Sequence, residues 1–174
     1  MRDGNGRRGD AILRAMAAIA RLDGHEWEAY RDVRLAALED APAAFGSTLE
    51  IERGRAEARW RARLEGRTQF VAREGDRIVA TVGCRDEDGA VELVSMWVAP
   101  EARGSGVADG LVGAVLDVAR ERGHGTAVLW VADGNRAAER LYERHGFART
   151  GHAQPIDDDE PARGTEFEMR REER

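Results

Sequence analysis

The hydrophobic positions of this chain change period several times, and each change marks an element. Trp27, Tyr30, Arg31, Arg34, Leu35 and Leu38 recur at near-helical spacing and predict a helix over residues 26–39, capped by Asp23 and ended by Pro42. A second helical stretch covers 49–64 and is broken near Gly54. Two short apolar runs, 69–73 and 77–84, flank Glu74-Gly75-Asp76, a hairpin signal. Asp86-Glu87-Asp88-Gly89 is a second turn and leads into an apolar strand at 91–98. Leu111, Val112, Val115, Leu116 and Ala119 form the buried stripe of a helix over 105–122, which Gly123 stops. A strand at 126–132, a helix at 135–145 and a strand from Phe147 follow. Residues 152–163, with Pro155, Asp157-Asp158-Asp159 and Pro161, read as a loop before a last strand at 165–169. Residues 11–22 are ambiguous, because their Ala and Leu favour helix.

The richest stretch joins the strand 91–98 to the helix that follows it. Pro100 opens a turn, and Arg103-Gly104-Ser105-Gly106-Val107-Ala108 runs into the helix N-terminus. The first turn of a helix has unpaired N–H groups and the positive end of the helix dipole. Gly104 and Gly106 lack a Cβ, so oxygens can come close to the backbone, and Arg103 adds a forked cation. This is an anion site, and it points to a phosphate-bearing ligand. A P-loop requires lysine, and the chain has none. A dinucleotide fingerprint requires a third Gly or Ala where Asp109 stands.

A second block lies downstream. In Asn135-Arg136-Ala137-Ala138-Glu139-Arg140-Leu141-Tyr142-Glu143-Arg144-His145-Gly146-Phe147, helical spacing puts Asn135, Ala138 or Glu139, and Tyr142 on one face. Arg103, Gly106 and Ala108 resemble the acyl-CoA pyrophosphate loop of the GNAT N-acetyltransferase superfamily. The Asn-Ala-Leu-Tyr-Glu-Gly-Phe block resembles that superfamily's second block. The resemblance spans residues 68–150, with a weaker echo in Trp27-Glu28-Ala29-Tyr30 and in 40–48. Residues past 150 carry little of it.

This likeness implies a first strand at 17–22 and a mixed α/β fold. Its sheet is largely antiparallel, flanked by helices and splayed between strands 91–98 and 126–132. It further implies acetyl-CoA as co-substrate, with its pyrophosphate on residues 103–108: Arg103, Gly104, Ser105, Gly106, Val107 and Ala108. The pantetheine arm pairs with backbone from Met96 to Val98 and meets Asn135, and the Val98 N–H polarises the thioester oxygen. Tyr142 protonates the departing thiolate, and Glu92 is the general base, with Ser95 a weaker candidate acting through water. Plainer readings stand beside these. Asn135 is a good helix cap in any case, Tyr142 suits a core, and Glu92 within an apolar strand also suits a solvated face.

Composition narrows the classes. The chain of 174 residues is read as one domain over 11–174, after a disordered Gly-, Arg- and Asp-rich tail at 1–10. Net charge −6 argues against a nucleic-acid partner and mildly for a cationic substrate. Without lysine, Schiff-base chemistry is excluded. No apolar run approaches the roughly 18 residues of a membrane span, and no signal peptide is visible. Cys84 is the single cysteine and reads as a buried thiol, so a cytoplasmic location is expected. His25, His124, His145 and His152 show no metal-ligand spacing.

The acceptor is expected to be a primary amine of a small molecule. Phe45, Trp60 and Trp130 would be its walls, and Glu50 and Asp157-Asp158-Asp159 its counter-charges. Protein or peptide N-terminal acetylation and a non-catalytic acyl-CoA-binding module are the alternatives, and a homodimer is an open possibility.

Overall fold

The computed structural model describes residues 17–173. The expected tail at 1–10 and the ambiguous residues 11–16 lie outside that span. One seven-stranded sheet organises the molecule: β1 (Ala18–Arg21), β2 (Thr68–Glu74), β3 (Arg77–Glu87), β4 (Ala90–Val98), β5 (Thr126–Ala132), β6 (Ala148–Pro155) and β7 (Thr165–Glu172). The strand order is β1-β2-β3-β4-β5-β7-β6, and among the described residues only β4 and β5 pair in parallel. The mixed, largely antiparallel sheet flanked by helices, expected from the resemblance, is what forms.

Among the described residues five α-helices cover it: α1 (Trp27–Asp40), α2 (Leu49–Arg53), α3 (Glu57–Glu65), α4 (Val107–Glu121) and α5 (Arg136–Arg144). Asp23 caps a single 3-10 turn that feeds α1, rather than α1 itself. Its carboxylate accepts from the His25 N–H at 2.7 Å, while Glu26 reaches back to the Asp23 N–H. Gly54 separates α2 from α3, and Thr48 caps α2.

Strand alternation decides which helix meets which face. On β2, Ala72 joins the core under α4, whereas Val71 packs with Tyr30 of α1 and Trp60 and Leu64 of α3. α4 buries Leu111, Val112 and Val115 completely, in one cluster with Val91, Leu93, Ala127, Leu129 and Met169. Each such side chain contributes about 1.5–3 kcal/mol. Glu92, between Val91 and Leu93, therefore points to the opposite face, the one shared by α1 and α3.

β4 and β5 pair at only three positions: Val91 with Ala127, Glu92 with Val128 and Leu93 with Leu129. Just beyond, the register of β4 against β3 slips between Thr81 and Gly83, and Ser95 adopts a left-handed backbone with φ 55°. A bulge bends the strand that carries it. β4 leaves β5 here, and this is the splay expected between these two strands.

Several boundaries differ from expectation: β3 runs on through Asp86 and Glu87, so the turn is Asp88-Gly89 alone, and β7 runs to Glu172. Residues 152–155 are not loop: β6 runs to Pro155 and pairs with β7, with Ala153 opposite Phe167 and Gln154 opposite Glu166. The sequence signals there are Gly151, at φ 95° beside a register shift, and Pro155. Both are tolerated because β6 is an edge strand, where a missing N–H and a break in the ladder cost little. No helix among the described residues is long and apolar enough to cross a membrane.

Candidate active site

A cleft of about 1280 Å³ opens where β4 and β5 part. It reaches both faces of the sheet. On the α4 side it is lined by Arg103, Gly104, Gly106, Val107, Ala108, Asn135 and Tyr142. On the α1 side its lining includes Phe45, Glu92, Ser95, Trp130 and Glu166.

The loop before α4 offers donors. Gly104 and Gly106 have φ 76° and 88°, the left-handed region that favours glycine, and Gly106 is the N-cap residue of α4. A Cβ at either would meet no atom within 4 Å, so the backbone angle demands glycine and the space above stays open. Among the described residues, the N–H groups of Gly104, Gly106 and Ala108 have no acceptor. Ser105 turns inward instead: its hydroxyl donates to the Ala102 carbonyl at 2.7 Å and its N–H is bonded to the same oxygen. Arg103 is also engaged within the protein. Its Nε donates to the Val98 carbonyl at 3.1 Å, and its Nη2 pairs with Asp40.

The edge of β4 faces the cleft. Ala99 N–H donates to Val79 and Trp97 lies opposite Thr81, so Val98 turns its own N–H and carbonyl away from β3. The bond from Arg103 to the Val98 carbonyl agrees with that orientation. Met96 and Val98 both line the cleft.

Asn135 does what a cap does, its Oδ1 accepting from the Ala138 N–H at 3.2 Å, while its side chain also lines the cleft. Tyr142 is buried in the α4 core, with its ring edge-on to Phe147. No group among the described residues bonds its hydroxyl, and burial pushes its pKa well above the ordinary phenol value. It therefore stays protonated at neutral pH. Asp109, where a dinucleotide fingerprint would need Gly or Ala, ties α4 to α5 by bonds with Arg144 and His145.

Glu92 lies on the far face and is buried, which raises its pKa, although the Arg85 Nε bonded to it at 2.6 Å opposes the shift. Arg85 stands directly across on β3. Ser95, on the bulge, presents its hydroxyl to Arg67 at 3.4 Å and lines the cleft. Cys84 is fully buried, and that burial raises its pKa; it lies outside the cleft.

Several acceptor-side expectations change. Trp60 is not a wall: it is 1% exposed and packs against Tyr30. Glu50 does not line the cleft. Asp157 is committed to Arg163 at 2.8 Å, and Arg163 also donates to the Phe45 carbonyl at 2.9 Å, strapping the connection 156–164 to the α1–α2 connection. Phe45 and Trp130 do line the cleft. The carboxylates on its floor come instead from β7, as Glu166 and Glu168, with Gln154 of β6 bonded to Glu166. The alternation of Glu166, Glu168 and Arg170 with Phe167 and Met169 was the available sequence signal.

Known proteins agree with this geometry. The model of the Acetyltransferase (GNAT) family matches residues 25–147. N-acetyltransferase 8B of Homo sapiens is 33% identical over 90 residues, 48% of this chain and 40% of that protein. N-alpha-acetyltransferase 30 of Schizosaccharomyces pombe is 36% identical over 85 residues, 46% of this chain and 57% of that protein. The mycothiol acetyltransferase of Thermobispora bispora is 32% identical over 133 residues, 72% of this chain and 44% of that protein. The chain thus spans about half the length, or less, of these relatives.

Among solved structures, the ribosomal-protein-alanine N-acetyltransferase from Brucella melitensis has the same fold at TM-score 0.70 and 22% identity, over 89% of this chain and 99% of that one. So does the paia N-acetyltransferase from Thermoplasma acidophilum, in complex with coenzyme A, at TM-score 0.64 and 14% identity, over 89% and 99%. With a family model covering most of its length and a cleft at the parting of β4 and β5, the chain belongs to the Acetyltransferase (GNAT) family.

Proposed function

We propose that this protein is an acetyl-CoA-dependent N-acetyltransferase acting on a primary amine of a small molecule. The observation that carries the reading is the cleft itself, which joins unpaired backbone donors on the α4 side to the buried Glu92 and the half-buried Glu166 on the α1 side. The donor fits what the site offers. The N–H groups of Gly104, Gly106 and Ala108, at the positive end of α4, suit phosphate oxygens. Val98, facing the splay, suits an extended amide-bearing arm added like a strand. The Asn135 side-chain amide, whose Oδ1 caps α5, keeps its N–H groups for that arm.

Acetyl-CoA supplies an activated acyl carbon, and the residues do the rest. The Val98 N–H polarises the thioester oxygen. A carboxylate of the α1-side floor, Glu92 or a neighbour, removes a proton from the ammonium so that the nitrogen can attack. The Tyr142 hydroxyl keeps its proton for the departing sulfur. The raised Tyr142 pKa makes it a weaker acid, so it gives up its proton only as negative charge develops on the sulfur. Arg163 straps the 156–164 connection to the α1–α2 connection beside Phe45, which lines the acceptor side.

The N-alpha-acetyltransferase likeness keeps a peptide N-terminus as a second reading, since it too is a primary amine. Release of free CoA from acetyl-CoA, measured with a panel of small amines and with peptides of varied first residue, tests both. Turnover of small amines above peptides supports the first. Binding of acetyl-CoA without turnover of any amine would sink both and leave a binding module.

A further inference from the structure

We propose that Glu166, held by Gln154, is the residue that takes the proton from the acceptor ammonium, and that Glu92 is a fixed counter-charge. The inference rests on the acetyl-transfer reading above and assigns a role within that site.

Sheet register gives the geometry. Glu92 pairs with Val128, and Val128 with Arg170, so these three form one row on the α1-side face. Trp130 with Glu168 forms the next row on that face, and Ala132 with Glu166 the one beyond. Gln154 extends this last row onto β6. Glu92 therefore lies in the paired part of β4 and β5, one position before pairing stops. Glu166 stands at the carboxyl end of β5, beside the open splay. Val98 lies six residues beyond Glu92 on β4, about 20 Å along an extended strand and somewhat less across the bulge. A glutamate side chain spans only part of that gap.

The bonding of the two carboxylates differs in the same sense. Glu92 is held by the Arg85 guanidinium at 2.6 Å, an ion pair that favours its charged form and opposes its taking up a proton. Glu166 has no cationic partner among the described residues. Its Oε1 accepts from the neutral Gln154 Nε2 at 2.7 Å, which leaves Oε2 for an incoming ammonium. The charged groups facing it are Glu92 from β4, Asp158 from the 156–164 connection, and Glu168 and Arg170 on its own strand. Burial first, then Glu92 and Asp158, push its pKa above the ordinary glutamate value, against the Gln154 bond. The raised pKa makes this carboxylate a better base toward an ammonium.

The step balances. The ammonium gives one proton to Glu166, the freed amine forms the C–N bond, and the C–S bond breaks. Sulfur takes the Tyr142 proton, the second nitrogen proton restores Tyr142, and Glu166 passes its own to water. An ammonium flanked by Glu166, Glu168 and Glu92, beside Trp130, also favours cationic amines that lack a carboxylate near the nitrogen.

The test is steady-state kinetics on an amine that the wild type turns over, across pH, with acetyl-CoA affinity by calorimetry as the check on the fold. Glu166→Gln is expected to bind acetyl-CoA normally and to lose about 10²–10⁴-fold in kcat/KM near pH 7. Its rate should then climb with pH as the amine deprotonates unaided. Gln154→Leu, which removes the bond that lowers the Glu166 pKa, should move the acidic limb upward. Glu92→Gln should raise KM more than it lowers kcat and keep the limb. The inference is overturned if Glu166→Gln keeps the wild-type rate and profile, or if Glu92→Gln is the variant that loses the limb. A wild type that turns over no amine overturns both this inference and the acetyl-transfer reading; an unchanged Glu166→Gln with an active wild type overturns this inference alone.

Discussion

Asp40, the last residue of α1, pairs with Nη2 of Arg103, while the same carboxylate oxygen accepts from the Trp97 indole N–H at 2.9 Å. The arginine that precedes the donor loop is thereby drawn down onto β4, where its Nε also covers the Val98 carbonyl. The guanidinium thus occupies the backbone edge that an extended ligand arm would use.

If Arg103 leaves Asp40 to meet phosphate, Asp40→Asn removes a competitor. An exposed ion pair is worth about 0.2–1 kcal/mol, so CoA is expected to bind up to roughly fivefold tighter in this variant. Arg103→Ala should weaken binding by about tenfold through the lost charged hydrogen bond. Calorimetry at low salt measures both. Unchanged or weaker binding in Asp40→Asn would show that the arginine serves the ligand from where it already lies.

Gly106→Val should nearly abolish CoA binding. Its φ of 88° strains a β-branched residue, and its side chain would fill the open space above the donors. Gly123→Ala, at φ 74° past the other end of α4, is a control for strain without occlusion. Equal losses of affinity in the two would place the effect in α4 stability rather than in the donor site.

Tyr142→Phe keeps the ring packed against Phe147 and removes only the hydroxyl, which bonds no other group among the described residues. Fold and CoA affinity are expected to survive while kcat falls about 10–1000-fold. With the phenol pKa raised, no loss of rate from Tyr142 ionisation should appear below pH 10 in the wild type. An unchanged kcat on a good acceptor would mean that the thiolate leaves unaided.

Glu52 is completely buried and bonds Arg55 at 2.7 Å and Arg63 at 3.0 Å, with Arg34 at 3.8 Å. Removing one member of such a network costs about 3–5 kcal/mol, and Glu52→Gln should lower stability by that order in urea titrations. Burial by itself raises the Glu52 pKa, but the three arginines and Ser47 outweigh it and hold the carboxyl below the ordinary range. A depressed folded pKa gives stability above the unfolded value, near ~4.3, and loses it as pH falls through the folded value. Wild type should therefore lose stability on acidification below about pH 4.5, and the Gln variant should lose less over that window. Parallel acid curves for the two would contradict this.

Much of the fold was legible in the sequence because its signals are local. Helix stripes, hairpin turns and the glycines that end helices placed α1, α4, α5 and β2 to β5 to within a few residues. The run to Pro155 reads as loop from sequence because a Gly and a Pro weaken an interior strand, and nothing local says that β6 is an edge. Trp60 was misassigned for the same reason, since an aromatic on a helix shows which face it occupies only once Tyr30 and Val71 are known to pack there.

The donor side of the cleft was determined by the sequence itself. Glycines at left-handed angles, an unpaired helix N-terminus and a capping Asn are properties of consecutive residues, so Gly104, Gly106, Ala108 and Asn135 carried their meaning in their order. The acceptor side was decided only by tertiary structure. Glu92 and Glu166 are 74 positions apart in the chain, and what brings them onto one face is the register of β4, β5 and β7. The choice of Arg85 as partner for Glu92, of Gln154 for Glu166, of Arg163 for Asp157 and of Asp40 for Arg103 is likewise set by where strands and connections cross. Hydrogen bonds and burial act through space, and those neighbours exist only after the sheet has closed around its splay.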